Sequence, residues 1–300
     1  MIPLLIIAGA TTAALLAGAA VLHLLPRLGQ AGRRVTDACA RAPALDLLIT
    51  YFTAAPMIAG VAVGSNMQIG GGHWRGAALG LLAGIAGQIV GVTLWTIAHE
   101  LAHPEARKGP RIVKEINSLV GPTRNFTAVW VTAAAVPLFW LVRVAQYIVY
   151  PPLTWLVRLP KYNQADWVNC SRHKFDGLVG HDRIWCLYCD WMTGIWSLGG
   201  EMLRNVESFW CPIRFRSDKK CANCAVDFPD VAHGWAPADG AMADVARILR
   251  DKYGEPAPDG SYPWFGHPVR LTVEGEPGPG ERQERGDRRE SAEIAEGGVV

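Results

Sequence analysis

The strongest chemical signal in this chain is five residues long: His99-Glu100-Leu101-Ala102-His103, an H-E-x-x-H pattern. On a helix the two imidazoles, four residues apart, share a face and can ligate one Zn²⁺, and the glutamate between them can take a proton from water. Such a site wants a third protein ligand, and Asp176 in Phe175-Asp176-Gly177 offers one. Sulfur makes the second set, Cys170, Cys186, Cys189, Cys211, Cys221 and Cys224, in which Cys186-Leu-Tyr-Cys189 and Cys221-Ala-Asn-Cys224 are pairs. Two thiolates presented from a tight turn bind one soft metal, and two pairs complete a tetrahedron around zinc or iron. Cys211-Pro212 also suits the last ligand of an iron–sulfur cluster. The expected cofactor is therefore zinc, with iron or an iron–sulfur cluster as the alternative. His23, His73, His233 and His267 read as structural or solvated, His173 and His181 beside Asp176 read as structural with either metal site as the alternative, and Cys39 stands alone in a basic loop.

These groups hang on apolar elements. Ile2–Leu25 is long enough to cross about 30 Å of hydrocarbon as a helix, and it lacks the positive start of a secretory signal. Further spans are expected at 45–67 and 77–98, both rich in Gly and Ala, which permits close helix packing. The H-E-x-x-H box sits at the end of the third span, directly before Pro104, which biases His103 away from helical backbone. The apolar stretch 126–157, interrupted by Arg143, reads as one long tilted helix or a hairpin, and the loop charges favour a hairpin or re-entrant pair. Arg27, Arg33, Arg34 and Arg41 follow the first span and Arg107, Lys108, Arg111, Lys114 and Arg124 the third. By the positive-inside rule both loops are cytoplasmic and the N-terminus is outside.

The expected organisation is a membrane domain at 1–158, a Cys- and Trp-rich metal-binding module at 159–235 on the cytoplasmic side, an amphipathic helix and loop at 236–273, and a disordered tail at 274–300. Within the module, 184–210 carries apolar residues at helical spacing and reads as one or two short helices around Gly199-Gly200. The fold class is all-α, a polytopic integral membrane protein. Composition agrees: 50% of the 300 residues are hydrophobic and only 19% charged, which excludes a disordered chain and disfavours an ordinary soluble domain. A net charge of +2 excludes a chain whose business is nucleic-acid binding. The expected partners are the lipid bilayer and a second membrane protein.

Three local resemblances follow. The pair His-Glu-Leu-Ala-His and Phe-Asp-Gly resembles the site-2 family of intramembrane zinc proteases. That resemblance implies His99 and His103 as ligands, Glu100 as general base and Asp176 as third ligand. The proline-rich lead-in usual before that aspartate is missing here, and the match covers about eight residues. Trp210-Cys211-Pro212 after Cys186-x-x-Cys189 is similar to the second knuckle of rubredoxin, with Arg214 where that family has its fourth cysteine. The box also looks like the first histidine cluster of membrane desaturases, but the H-x-x-H-H clusters that such di-iron sites require are absent from the sequence. Three function classes remain: a membrane-embedded zinc hydrolase, a membrane redox protein with a Cys-ligated iron centre, and a non-enzymatic scaffold with structural zinc.

Overall fold

The computed structural model describes residues 1–172, 175–210 and 240–253. Cys211, Cys221, Cys224 and the tail 274–300 lie outside the described residues. Among the described residues the chain is helical, with one isolated bridge between Arg41 and Asn169 in place of any strand. Three helical runs among the described residues, Ile2–Cys39, His73–Ala102 and Pro122–Leu156, are long and apolar enough to cross a membrane, and a helix pair, bent at its break, would make a fourth if it forms one span. This is a membrane protein. The chain divides into two units, Met1–Ala135 with Val168–Thr193, and Val136–Trp167 with Gly194–Val300.

In the first unit, α1 (Ile2–Leu24) continues through a 3₁₀ turn at Pro26 into α2 (Gly29–Cys39). The second span is α3 (Ala44–Phe52) and α4 (Ala54–Asn66), bent by 49° between them. The cause is Pro56, which has no N–H to give the Phe52 carbonyl four residues earlier. The next span supplies the replacement: the Gln88 side-chain amide donates to Phe52 O at 2.9 Å and to Thr53 O at 2.7 Å. In a bilayer no water is available for that carbonyl, so the bend and the glutamine belong together.

The third span, α5 (His73–Ala102), is the axis of this unit. Its glycines form two faces. Gly76, Gly80 and Gly84 lie against the backbone of Gly64, Gly60 and Pro56, so that a Cβ at any of them would strike α4. Gly87 and Gly91 lie against Ala8, Thr11, Thr12 and Leu15 of α1, and Thr12 Oγ1 donates to Gly87 O at 3.0 Å. The first set of partners runs antiparallel to α5 and the second parallel to it. Close approach of small residues, with a side-chain hydrogen bond across it, is how helices associate where apolar burial drives nothing.

After α5 come the short α6 (Pro104–Lys108), then α7 (Ile112–Val120) and α8 (Pro122–Ala133). The N-terminal part of α12 (His181–Trp210) returns to the unit, where Trp191 Nε1 donates to the buried Asp46 carboxylate at 2.8 Å.

The second unit contains α9 (Val136–Ile148), α10 (Tyr150–Leu156), α11 (Gln164–Trp167), the rest of α12 and α13 (Met242–Tyr253). Arg143, which interrupts the apolar run, is fully buried and donates to Gln146 Oε1 at 2.6 Å and Tyr147 Oη at 2.8 Å, its guanidinium 4.3 Å from the Tyr147 ring. Gln146 in turn donates to Ile195 O at 2.7 Å. An arginine so satisfied sits within an apolar helix without ending it.

Two expectations change here. The stretch expected to turn back on itself is one helical run, Pro122–Leu156. The stretch expected as short helices around Gly199-Gly200 is one helix of 30 residues. Gly199 is there because a Cβ would meet Val142 Cγ1 at 3.0 Å and Gln146 Nε2 at 3.2 Å, so this glycine marks close packing and not a break.

Candidate metal centre

His99 lies near the end of α5, and the backbone leaves the helix at His103 (φ −127°, ψ 67°), directly before the proline that forbids continuation. The His99 carbonyl thereby loses its place in the helical ladder, and the His103 imidazole caps it through Nδ1 at 2.9 Å. A carbonyl accepts only, so the His103 proton is on Nδ1 and Nε2 carries the free lone pair, the tautomer of a metal-ligating histidine. The two rings stack at 4.4 Å between centroids, and Trp95 stacks on the other side of His99 at 4.6 Å.

The third histidine comes from α1. The same number of residues separates Leu15 from His23 as separates Gly91 from His99, and Gly91 packs on Leu15. Two parallel helices that rise equally per residue and touch at that level touch again at the histidines. His23 lies edge-on to both rings, 5.2 Å from His99 and 6.1 Å from His103. One ligand nitrogen from each of His23, His99 and His103 lies within 4.8 Å of the others, the sole such group of three among the described residues. A tetrahedral ion with bonds of about 2.1 Å wants nitrogens about 3.4 Å apart, so small ring rotations complete the site. His99 sets a condition. Its Nδ1 accepts the Gly180 N–H at 3.2 Å, which leaves the neutral ring's proton on Nε2. Ligation through either nitrogen displaces that bond, so metal uptake is coupled to the turn before α12.

Glu100 points elsewhere. Its carboxylate accepts from Arg111 at 2.9 Å and lies 3.7 Å from Arg107. Arg111, its side chain 3% exposed, also donates to Asp182 at 2.7 Å and to the Val179 carbonyl at 3.1 Å. Burial alone would lower the Arg111 guanidinium, but Asp182 and Glu100 hold it above its ordinary value. Asp182 is further bound by the Val113 N–H at 3.0 Å. A Cβ on Gly180 (φ +58°) would meet Glu100 Oε1 at 2.5 Å, so a residue with a side chain would dislodge the carboxylate. The glutamate of the H-E-x-x-H box thus ties α5 to α12 through Arg111.

The remaining sequence candidates separate from this centre. Asp176 is exposed on the turn at Phe175–Gly177 and does not belong to the histidine group, in which His23 takes the third place. Cys186 and Cys189 lie half-buried within α12 and not on a tight turn. Cys170 is buried, its Sγ donates to Leu187 O at 3.3 Å, and burial pushes the thiol up to about 12. Such a thiol resists becoming a ligand thiolate. His181 is pushed down by burial, with Glu100 opposing the shift.

The sequence matches no protein-family profile, no curated protein is similar to it, and no solved structure resembles the chain.

Proposed function

We propose that this protein is a membrane metalloprotein that holds one zinc ion between the ends of its first and third spans, with His23, His99 and His103 as ligands. The observation that carries the reading is the convergence of three imidazole nitrogens within 4.8 Å on helices locked in parallel register by Gly87 and Gly91. The His103 tautomer supports it, because the Nδ1 bond to the His99 carbonyl leaves Nε2 free to ligate. Bound there, zinc would supply Lewis acidity and one open ligand position, the arrangement of catalytic and not of structural sites.

Hydrolysis is the second reading, and the three-ligand count favours it. In that reading Glu100 is the base, and it must exchange its ion pair with Arg111 for the reacting water. An iron centre on the cysteines draws no support from Cys170, Cys186 and Cys189.

The test uses full-length protein with all seven cysteines changed to serine, so that any metal must be held elsewhere. Elemental analysis is expected to find about one zinc per chain, lost on His23→Ala and His103→Ala but kept in Asp176→Ala. Retention of zinc in His23→Ala would refute the ligand set. Glu100→Gln is expected to keep the metal, and to abolish any hydrolytic turnover if the second reading holds.

A further inference from the structure

Between α1, α3, α5 and the start of α12 the first unit forms a half-open pocket of about 350 Å³. Its wall is apolar along most of its length, with Leu16, Leu45, Ile49 and Phe52 representative, and it includes one permanent charge, Arg183. Among the described residues Arg183 has no carboxylate partner, in contrast to Arg111, Arg107 and Arg172, which all do. Arg183 is half-buried, and burial is what pushes its guanidinium below its ordinary value. An arginine kept in an apolar wall without a counter-charge is costly unless an anion joins it.

We infer that this pocket binds a single-chain amphiphile with an anionic head, a medium-chain carboxylate, its alkyl chain along α1 and α3 and its head on Arg183. Size selects the chain. At about 30 Å³ for each water-sized group the pocket takes roughly a dozen methylene-sized groups, one acyl chain and not a two-chain lipid. It falls at the small end of the roughly 300–1,000 Å³ range of ligand sites. Charge selects the head, since the fork of an arginine matches a carboxylate with two hydrogen bonds. The α12 residues Arg183, Ile184 and Leu187 put the charge and its apolar neighbours on one helix face. The inference stands whether or not the histidines hold zinc.

The probe is dodecanoate with a diazirine at its chain end, photolysed on full-length protein in nanodiscs after removal of metal by chelation, with the matching dodecanol as control. Labelling is expected on the wall segment 45–52, competed by plain dodecanoate and about ten-fold weaker for the alcohol. Arg183→Gln is expected to cut labelling about ten-fold and Arg183→Lys, which keeps the charge but loses the fork, to restore only part of it, a partial rescue that a folding defect would not show. Leu48→Trp fills the pocket and is expected to abolish labelling while the melting temperature holds. Equal labelling by acid and alcohol, or no change in Arg183→Gln, would overturn the anionic-head assignment. Labelling that dodecanoate cannot compete would mean bulk lipid contact and overturn the site. Because the protein is metal-free, failure of the zinc reading leaves these results unchanged.

Discussion

Arg111→Met tests what holds α12 against the end of the third span. The substitution keeps the volume of the side-chain stem and deletes three bonds: to Asp182 at 2.7 Å, Glu100 at 2.9 Å and the Val179 carbonyl at 3.1 Å. Asp182, with a side chain 7% exposed, keeps only the Val113 N–H, and Glu100, 22% exposed, keeps the long contact to Arg107. Breaking a buried pair typically costs about 3–5 kcal/mol, mainly through the charge left without a partner. Water reaches Glu100, so the lower end, about 3 kcal/mol, is the figure for this site. At roughly 2–4 °C per kcal/mol for a chain approaching this size, the melting temperature in detergent should fall by about 6–12 °C. Intrinsic fluorescence of the twelve tryptophans reports it. The triple variant Arg111→Met, Glu100→Gln, Asp182→Asn removes the uncompensated charges and should recover at least half of the loss. A single variant that melts within about 2 °C of the parent, or a triple variant no better than the single, would refute the view that charge pairing and not shape holds this corner.

Gln88→Leu strands the Phe52 and Thr53 carbonyls in the bilayer and should cost about 1–3 kcal/mol by equilibrium unfolding, whereas Gln88→Glu, which accepts where a donor is needed, should cost no less. His181, depressed by burial and facing Glu100, Asp182 and Arg111, binds its proton more weakly folded than unfolded. Stability through this group is therefore complete above its ordinary value of 6.5 and is lost as pH falls below it. The melting temperature should drop from about pH 7.5 to about pH 5.5, and His181→Gln should shrink the drop; an unchanged drop would clear His181 of the effect. Cys170, pushed up to about 12, should stay unmodified by iodoacetamide in native protein while Cys39 reacts, as peptide mass spectrometry reads directly.

Much of the architecture is a local property and could be read from composition. An apolar run of this length has one stable form in hydrocarbon, so the first and third spans stand where the sequence puts them. Pro104 ends α5 where expected because a proline disfavours helical backbone at the residue before it. The glycines of α4 and α5 announce close packing but not which partner each faces. The 126–157 stretch misled because Arg143 was weighed as a solvated charge, while Gln146 and Tyr147 one turn along satisfy it inside.

The histidine site shows where local reading ends. His99 and His103 are legible together because one helix fixes their spacing. His23 had a signal, an ionisable residue near the end of an apolar run, which is a functional candidate by default in a membrane helix. Its partners, however, depend on the register of α1 on α5, which Thr12, Leu15, Gly87 and Gly91 set across the interface. Asp176 was chosen over His23 on a short motif, and the turn at Phe175–Gly177 leaves it outside the group. The chain's own order determined where it meets the bilayer and where its helices stop, since both follow from each segment's hydrophobicity and backbone freedom. Which imidazole completes the triad, which arginine claims Glu100 and which arginine is left without a carboxylate were decided only in three dimensions, because each is a pairing between segments distant in sequence.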